Sequence, residues 1–175
     1  CFPSCSMTSG FGGCGAFSDG KFNITNEFGG WMQEYLPKET VLDLIKYVDK
    51  INLAHGAPEE LTNPNTKEIL DIERRGLAVG LKLLRSEVRH LGTEINLKVL
   101  QSIYEELKKD GVQMQFCTEI KDIIEENGVI SGVIDQKGNT YNAKYVLLNV
   151  GRPGSKWLSK TLRKHNIKVT NNRVD

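Results

Sequence analysis

The pattern of apolar residues after Gly92 constrains the fold more than any other feature of this 175-residue chain. Apolar residues after Asn96 recur at helical spacing, and Asn96 is predicted to cap that helix. Apolar and polar residues then alternate over 112–116, which is typical of a strand. The Asn-Gly pair at 127–128 predicts a hairpin turn between two further strands. The almost wholly apolar run 145–150 predicts a strand buried on both faces, as in parallel sheets. This order favours a mixed α/β fold.

The middle of the chain carries mostly helical patterns. An apolar stripe over 40–53 predicts a helix with Thr40 as its N-cap. A second helical pattern covers 66–80, and the apolar residues of 81–90 are compatible with a strand. After the apolar run near the end of the chain, Ser155 is predicted to cap a last helix.

Charge and cysteine content exclude several classes of protein. Lys plus Arg is 23 and Asp plus Glu is 22, and this balance gives no field that would attract nucleic acid. No apolar run is long enough to span a bilayer, and no signal peptide is visible. Four cysteines in a chain of this length do not form a disulfide scaffold, so we expect a reduced, cytoplasmic protein. Because the chain begins at Cys1 without a Met, we expect an internal piece of a longer polypeptide.

Five glycines lie within residues 8–21, which predicts a loop whose main chain can approach a ligand closely. Residues 10–15 match the G-x-G-x-x-G motif literally, but no strand precedes them and no helical stripe follows. Both are required of a pyrophosphate fingerprint, so we reject that interpretation. Main-chain N–H groups, the Ser18 hydroxyl and the Lys21 cation would instead suit an anionic or electron-rich cofactor surface.

The stretch from Gly10 to Lys21 resembles the GGAGAFSDGK segment of a family of bacterial FAD-dependent dehydrogenases. The resemblance extends to further stretches at 28–30, 34–36, 55–58, 89–94 and 151–158. It therefore covers most of the chain. In such proteins the true dinucleotide fingerprint lies upstream, which here would be before Cys1.

Residues 112–151 also resemble the larger class of flavoproteins with two dinucleotide domains. The resemblance implies a partial FAD-binding dinucleotide fold of the glutathione-reductase-like type, with a mostly helical inserted substrate domain. Residues 1–32 would carry the FAD-facing loop, 33–91 would form the insertion, and 92–175 would return to the FAD-binding domain.

The resemblance further implies which residues contact FAD. They are Gly12, Gly13, Gly15, Ala16, Ser18, Asp19 and Lys21 in the loop, Thr118, Glu119 and Ile120 near a strand end, and Gly151 and Arg152 after the apolar run. Related flavoproteins commonly end that run in Ala-Thr-Gly. This chain has Asn149, Val150 and Gly151, so only the glycine is shared.

His90 and Cys14 are the candidate catalytic residues. His90 lies just before a helix and could donate a proton or contact substrate, with a turn histidine bonded to backbone as the alternative. Cys14 lies within the glycine-rich loop where the family has alanine, and could be redox-active beside a flavin. Cys1 and Cys5 could belong to a zinc or iron–sulfur site, but plain reduced cysteines fit their irregular spacing better, and we assign no metal. Cys117 is expected to be a small core residue.

The resemblance implies an FAD-dependent oxidoreductase that acts on a small-molecule substrate, with the use of NAD(P) left open. FAD would carry the hydride chemistry, and the protein would position it and exclude water. We expect this chain alone to bind FAD weakly or not at all. Two alternatives stay open, namely a flavoprotein module that binds a protein or RNA, and an iron–sulfur electron-transfer protein.

Overall fold

A computed structural model describes residues 9–170 and shows a mixed α/β fold. The described helices are α1 (Lys38–Ala54), α2 (Lys67–Leu77), α3 (Gly92–Lys109) and α4 (Gly151–Lys164). The described strands are β1 (Lys21–Asn23), β2 (Val88–His90), β3 (Ile120–Glu126), β4 (Val129–Asp135) and β5 (Thr140–Asn142). Contacts divide the described residues into two units, of which one is Cys14–Val112 and the other combines residues 9–13 with residues 113–170.

The Cys14–Val112 unit is built around a short antiparallel ladder between β1 and β2. Its buried core contains Ala57, Leu91 and Val99, and Phe22 and Ile103 pack against them. Because this core is small, hydrogen bonds and ion pairs also hold the β1–β2 ladder against the helices.

The predicted helices α1 and α2 are confirmed, but only one of their starts was predicted correctly. α2 begins after Thr66, whose hydroxyl accepts a hydrogen bond from the Ile69 amide at 3.3 Å. α1 begins at Lys38, two residues before the predicted cap Thr40, and its N-cap residue Pro37 makes no side-chain capping hydrogen bond. The predicted strand over 81–90 is reduced to the three residues of β2.

α3 begins at Gly92, so the prediction that Asn96 caps it is wrong. Asn96 lies within the helix, is buried, and donates its side-chain amide to the Gly15 carbonyl at 2.6 Å. A cap would accept from a nearby backbone N–H through its side-chain oxygen, whereas Asn96 donates through its side-chain nitrogen to a carbonyl distant in sequence. The predicted end of this helix is confirmed, since Gly111 follows it with φ of +81°.

In the other unit, β3, β4 and β5 form an antiparallel meander. The predicted hairpin turn is confirmed, because Asn127 and Gly128 both have positive φ, of 54° and 81°. Asp135 organises the next turn, where its buried carboxylate accepts from the Lys137 and Asn139 amides. These hydrogen bonds to the carboxylate, led by that from the Asn139 side chain, lower the pKa of Asp135.

Two predicted strands are absent from the described residues, and both predictions are wrong. Residues 112–116 and 145–150 have no regular structure. Tyr145 and Leu147 are 81% and 86% exposed, so the apolar run is not buried, and Cys117 is exposed with φ of +51° rather than in a core. An apolar sequence forms a strand only beside a partner strand, and none of the described residues pairs with either segment.

α4 begins at Gly151, so Ser155 lies in its first turns and does not cap it. The Ser155 hydroxyl donates to the Arg152 carbonyl at 2.9 Å, within the helix itself. The indole N–H of Trp157 donates to the Lys121 carbonyl at 3.0 Å and attaches α4 to β3.

The mixed α/β class is confirmed, while both described sheets are antiparallel. Among the described residues, no helix combines the length and apolar character needed to cross a membrane. The two units are defined by contacts within the chain. The predicted segments 1–32, 33–91 and 92–175 are defined instead by their expected relation to a cofactor, and they stay a prediction.

Candidate functional site at the glycine-rich loop

The glycine-rich loop has a defined conformation. Residues Gly13–Phe17 form a short 3₁₀ helix, and Ser18 closes it by donating its hydroxyl to the Gly15 carbonyl at 2.9 Å. The same hydroxyl accepts from the Gly20 amide at 3.2 Å. Ser18, predicted to contact a cofactor, therefore also shapes the loop.

Gly20 packs closely against other residues of the Cys14–Val112 unit. Its φ is +63°, and a Cβ there would lie 3.1 Å from the Cβ of Leu91 and 3.3 Å from that of Asn96. Its carbonyl accepts from the Leu91 amide, and the carbonyl of Asp19 accepts from the Gly92 amide. Glycine is favoured here because a larger residue would strain the backbone and would require Leu91 or Asn96 to move by a few tenths of an ångström.

Asn96 joins the loop to α3. Its buried side chain donates to the carbonyls of Gly15 and Ala16, at 2.6 and 3.5 Å. Because Ala16 is also buried, the 3₁₀ helix is held against the start of α3. A loop rich in glycine thus presents one conformation, which reduces the entropy that a ligand would have to remove on binding.

The ladder between β1 and β2 places Lys21 directly opposite His90. Asp19 lies two residues before Lys21 and contacts both side chains. The distance from its Oδ2 to Lys21 Nζ is 2.6 Å, and from its Oδ1 to His90 Nε2 it is 3.0 Å. We call Asp19, Lys21 and His90 the loop triad.

The loop triad is exposed to solvent, with about half of each side chain accessible. The hydrogen bond from Lys21, followed by that from His90, lowers the pKa of Asp19 to about 2. Asp19 is therefore ionised at neutral pH and offsets the charge of Lys21. The Lys21 cation that the sequence offers to a cofactor is therefore paired with Asp19 within the loop itself.

A buried ion pair holds the strand that carries His90. Arg89 is 3% exposed and donates from Nε and Nη2 to the two oxygens of Asp49, at 2.6 and 2.7 Å. It also donates from Nη1 to the Pro58 carbonyl. The hydrogen bond with Asp49 raises the pKa of Arg89 although burial opposes it. The pair fixes β2 to α1 and thereby fixes where His90 projects.

Sequence reasoning did not identify Arg89, Asp49 or Asn96 as parts of the site. Arg89 and Asp49 are 40 residues apart, and Asn96 is 81 residues from Gly15. A polar residue on an otherwise apolar helix face, such as Asp49 beside Ile45, was the signal that could have suggested a buried partner.

The structure brings Asp19, Lys21 and His90 together but does not join Cys14 to them. Cys14 is an exposed free thiol in the 3₁₀ helix, and no hydrogen bond or ion pair of the described residues links it to the loop triad. Gly12 and Gly13 have positive φ, of 81° and 55°. Cys1 and Cys5, which carried the metal alternative, lie outside the described residues.

The other predicted cofactor contacts belong to the meander unit. Thr118 donates its hydroxyl to the Phe116 carbonyl, and the Glu119 carbonyl accepts from the Gln136 amide. Ile120 is the first residue of β3, while Gly151 and Arg152 open α4. The Glu119 carbonyl is thus already used within the fold, which weakens it as a contact for adenine.

A second ionic cluster lies between β3 and α4. Asp122 accepts from Lys164 and lies 3.1 Å from Nε2 of His165, whose Nδ1 lies 3.4 Å from Glu125. Burial raises the pKa of Asp122, but the hydrogen bonds from Lys164 and His165 outweigh burial and the pKa is lowered. The prediction that His165 is a surface residue is corrected, since only 13% of its side chain is exposed.

No protein-family model and no curated protein sequence matches the chain. Within residues 9–170, no three side chains of His, Cys, Asp or Glu are arranged to hold a metal ion. The geometry of the glycine-rich loop and the loop triad is therefore the basis of the functional proposal.

Proposed function

We propose that this chain is part of an FAD-dependent oxidoreductase, in which the glycine-rich loop borders the flavin ring and the loop triad faces the reacting molecules. The observation that carries the proposal is the contact of His90 with an ionised carboxylate at the end of that loop. The finer fold assignment, a partial FAD-binding domain of glutathione-reductase-like type, is part of this proposal.

The shape of the loop supports a fit to a flat ring. Within the Cys14–Val112 unit, a Cβ added at Gly15 would meet no heavy atom of the described residues within 4 Å. The surface of this glycine is therefore open, and a planar group could lie against the main chain. Phe17, two residues later, is exposed and could contact such a ring.

When bound, FAD would supply the hydride-accepting chemistry, which no side chain can provide. The chain's residues would position the substrate and move a proton. Asp19 holds Nε2 of His90 at 3.0 Å, so that nitrogen carries a proton toward the carboxylate. The other nitrogen, Nδ1, is then the one that takes a proton from a substrate hydroxyl or amine, and Asp19 stabilises the cation that forms. In this proposal His90 is the general base and Asp19 is the residue that orients it.

The visible absorption spectrum of the protein purified at its natural length, before and after denaturation, tests the proposal. We expect a yellow protein that releases about one flavin per chain, following from one cofactor site. A colourless protein that fails to bind added FAD overturns the proposal. The binding-module alternative would then come first, and a gel shift with RNA would test the basic face of α4 formed by Lys156, Lys160 and Arg163.

A matched pair of variants tests the position of the loop. Gly15→Val adds bulk where the fold has room, so the protein should keep its circular dichroism spectrum but lose flavin. Ala54→Val adds bulk at an exposed position in α1 of the same unit and should keep its flavin. Equal flavin content in both variants would show that the loop does not border the cofactor.

A further inference from the structure

The apolar stripe of α1 is not fully covered. Val41, which belongs to this stripe, is buried. Leu44 and Val48 are nevertheless 41% and 51% exposed, and Tyr47 beside them is 63% exposed. An amphipathic helix of a globular protein normally buries such a face, so this stretch of α1 is a candidate ligand surface.

The exposed stripe forms one wall of a groove. Phe22 and Ile24 from the β1 region and Met32 from a 3₁₀ helix line it together with residues of α1. The groove encloses about 400 Å³, within the range of small-molecule sites, and all of its lining residues belong to the Cys14–Val112 unit. We call it the α1 groove.

Two buried polar residues, Asp49 and Asn52, also line the α1 groove. Both oxygens of Asp49 accept hydrogen bonds from Arg89, so its charge is already balanced. The groove therefore does not select a cationic ligand. Its described lining contains no Lys or Arg, so it does not select an anionic ligand either.

The side-chain amide of Asn52 is the unexplained feature of the α1 groove. Asn52 is 7% exposed, and its Nδ2 makes no hydrogen bond to any described residue. Its backbone carbonyl is engaged, because it accepts from the Ala57 amide at 2.9 Å. A buried donor without an acceptor is destabilising and uncommon in native proteins, so an acceptor that comes from elsewhere would account for it.

We propose that the α1 groove binds a largely apolar and uncharged small molecule with a hydrogen-bond acceptor, which accepts from Nδ2 of Asn52. The apolar walls supply affinity, and the amide fixes the orientation of the ligand. The terminal torsion of asparagine is soft, so the amide can turn toward an entering acceptor at little cost. A protein helix would satisfy its own carbonyls and leave the amide unpartnered, which favours a small molecule.

The proposal goes beyond the proposed function and does not depend on it, because the groove is defined without the loop triad or a flavin. Binding can be measured in the absence of FAD. A protein that binds the probe below but no flavin supports the groove and overturns the oxidoreductase assignment, so the two failures are distinguishable.

Coumarin is the probe, since it is a flat bicyclic molecule with a carbonyl acceptor and no donor. Chroman, of similar size but without the carbonyl, is the comparison ligand. We expect titrations followed by ¹H–¹⁵N spectra to shift the side-chain amide of Asn52, with coumarin bound about five- to tenfold more tightly than chroman, the usual effect of one hydrogen bond. Absence of any shift in residues of the α1 groove overturns the proposal.

Asn52→Leu tests the amide directly. It replaces an unpartnered donor by an apolar group of similar size, so the variant should fold and be at least as stable as the parent. In this variant coumarin and chroman should bind equally. A preference for coumarin that persists in Asn52→Leu overturns the role of the amide.

Tyr47→Glu tests the groove without changing the buried residues. It places a charge at the exposed rim and should abolish coumarin binding, while Tyr145→Glu, at an exposed tyrosine of the other unit, should leave it unchanged. Equal coumarin binding in both variants overturns the proposal. So does a dimer that Tyr47→Glu converts to monomer, since the α1 groove would then be an interface between two copies.

Discussion

Replacing Arg89 by Met removes the cation of the buried pair that joins β2 to α1. Methionine keeps most of the length of the side chain, so the change leaves no large cavity. What it leaves is the Asp49 carboxylate, of which 11% is exposed, without its two donors. The Pro58 carbonyl loses a donor as well.

The structure sets the size of the effect. Removing one partner of a buried ion pair costs roughly 3–5 kcal/mol, because the remaining charge stays desolvated. Asp49 lies at the edge of a small core and water can reach it in part, so we expect about 3 kcal/mol. That is a large share of the stability of roughly 5–15 kcal/mol that is typical of a domain.

Urea unfolding followed by tryptophan fluorescence measures this loss. Of the two tryptophans, Trp31 belongs to the same unit as Arg89 and Trp157 belongs to the other. A Trp157→Phe background therefore makes the fluorescence report on the unit that carries the change. The free energy of unfolding is obtained by linear extrapolation.

Arg74→Met is the matched control. Arg74 lies 3.5 Å from Asp71 and is 82% exposed, and an exposed pair of this kind contributes at most about 1 kcal/mol. Adding Asp49→Leu to Arg89→Met should recover part of the loss, since the unpaired charge is removed. Equal losses in Arg89→Met and Arg74→Met, or a double variant that is simply additive, would refute the reasoning.

Three further predictions concern the loop triad, the close approach of the loop, and the Asp122 cluster. The carboxyl carbon of Asp19 should titrate in NMR spectra with a pKa of about 2, and Lys21→Met should raise that pKa, because Lys21 is the main cause of the shift. Gly20→Ala should cost about 1–3 kcal/mol in urea unfolding through backbone strain and crowding, whereas Gly15→Ala should cost much less. The lowered pKa of Asp122 means that its ionised form stabilises the fold above its unfolded-state pKa of about 3.9. This contribution is lost as the pH falls through the lower pKa of the folded protein, so the difference in stability between the parent and Asp122→Asn should shrink in acid.

Each of these three has a result that contradicts it. An ordinary pKa for Asp19 would show that Lys21 and His90 do not contact it in solution. Equal losses in Gly20→Ala and Gly15→Ala would contradict the close approach at Gly20. A difference between the parent and Asp122→Asn that stays constant from neutral pH to pH 2 would mean that the carboxylate gains nothing from its neighbours.

The features predicted correctly from the sequence are those that depend on neighbouring residues. The turn at Asn127-Gly128 follows from the tolerance of both residues for positive φ. The helical spacing of apolar residues predicted a helix from residue 66, and the Thr66 hydroxyl caps α2 by accepting from the Ile69 amide three residues later. The loop was likewise predicted from its glycines and serine, and Ser18 closes it through hydrogen bonds to residues two and three positions away.

The wrong predictions concern features that depend on residues distant in sequence. The alternation at 112–116 and the apolar run at 145–150 describe residues that could pair in a sheet, but pairing requires a strand from elsewhere in the chain. Asn96 has the chemistry of a cap, yet Gly15 and Ala16 offer it carbonyls that the sequence does not place nearby. In each case a partner distant in sequence decided the outcome.

The sequence by itself determined the helical stripes, the hairpin turn and the glycine-rich loop, because local dihedral preferences and side-chain spacing act within a few residues. Only the tertiary structure decided that Asp19 lies between Lys21 and His90, and that Arg89 pairs with Asp49 across 40 residues. It also decided that part of the α1 stripe lines a groove rather than a core. Such arrangements depend on which distant parts of the chain come into contact, and that is determined by the free energy of the whole fold.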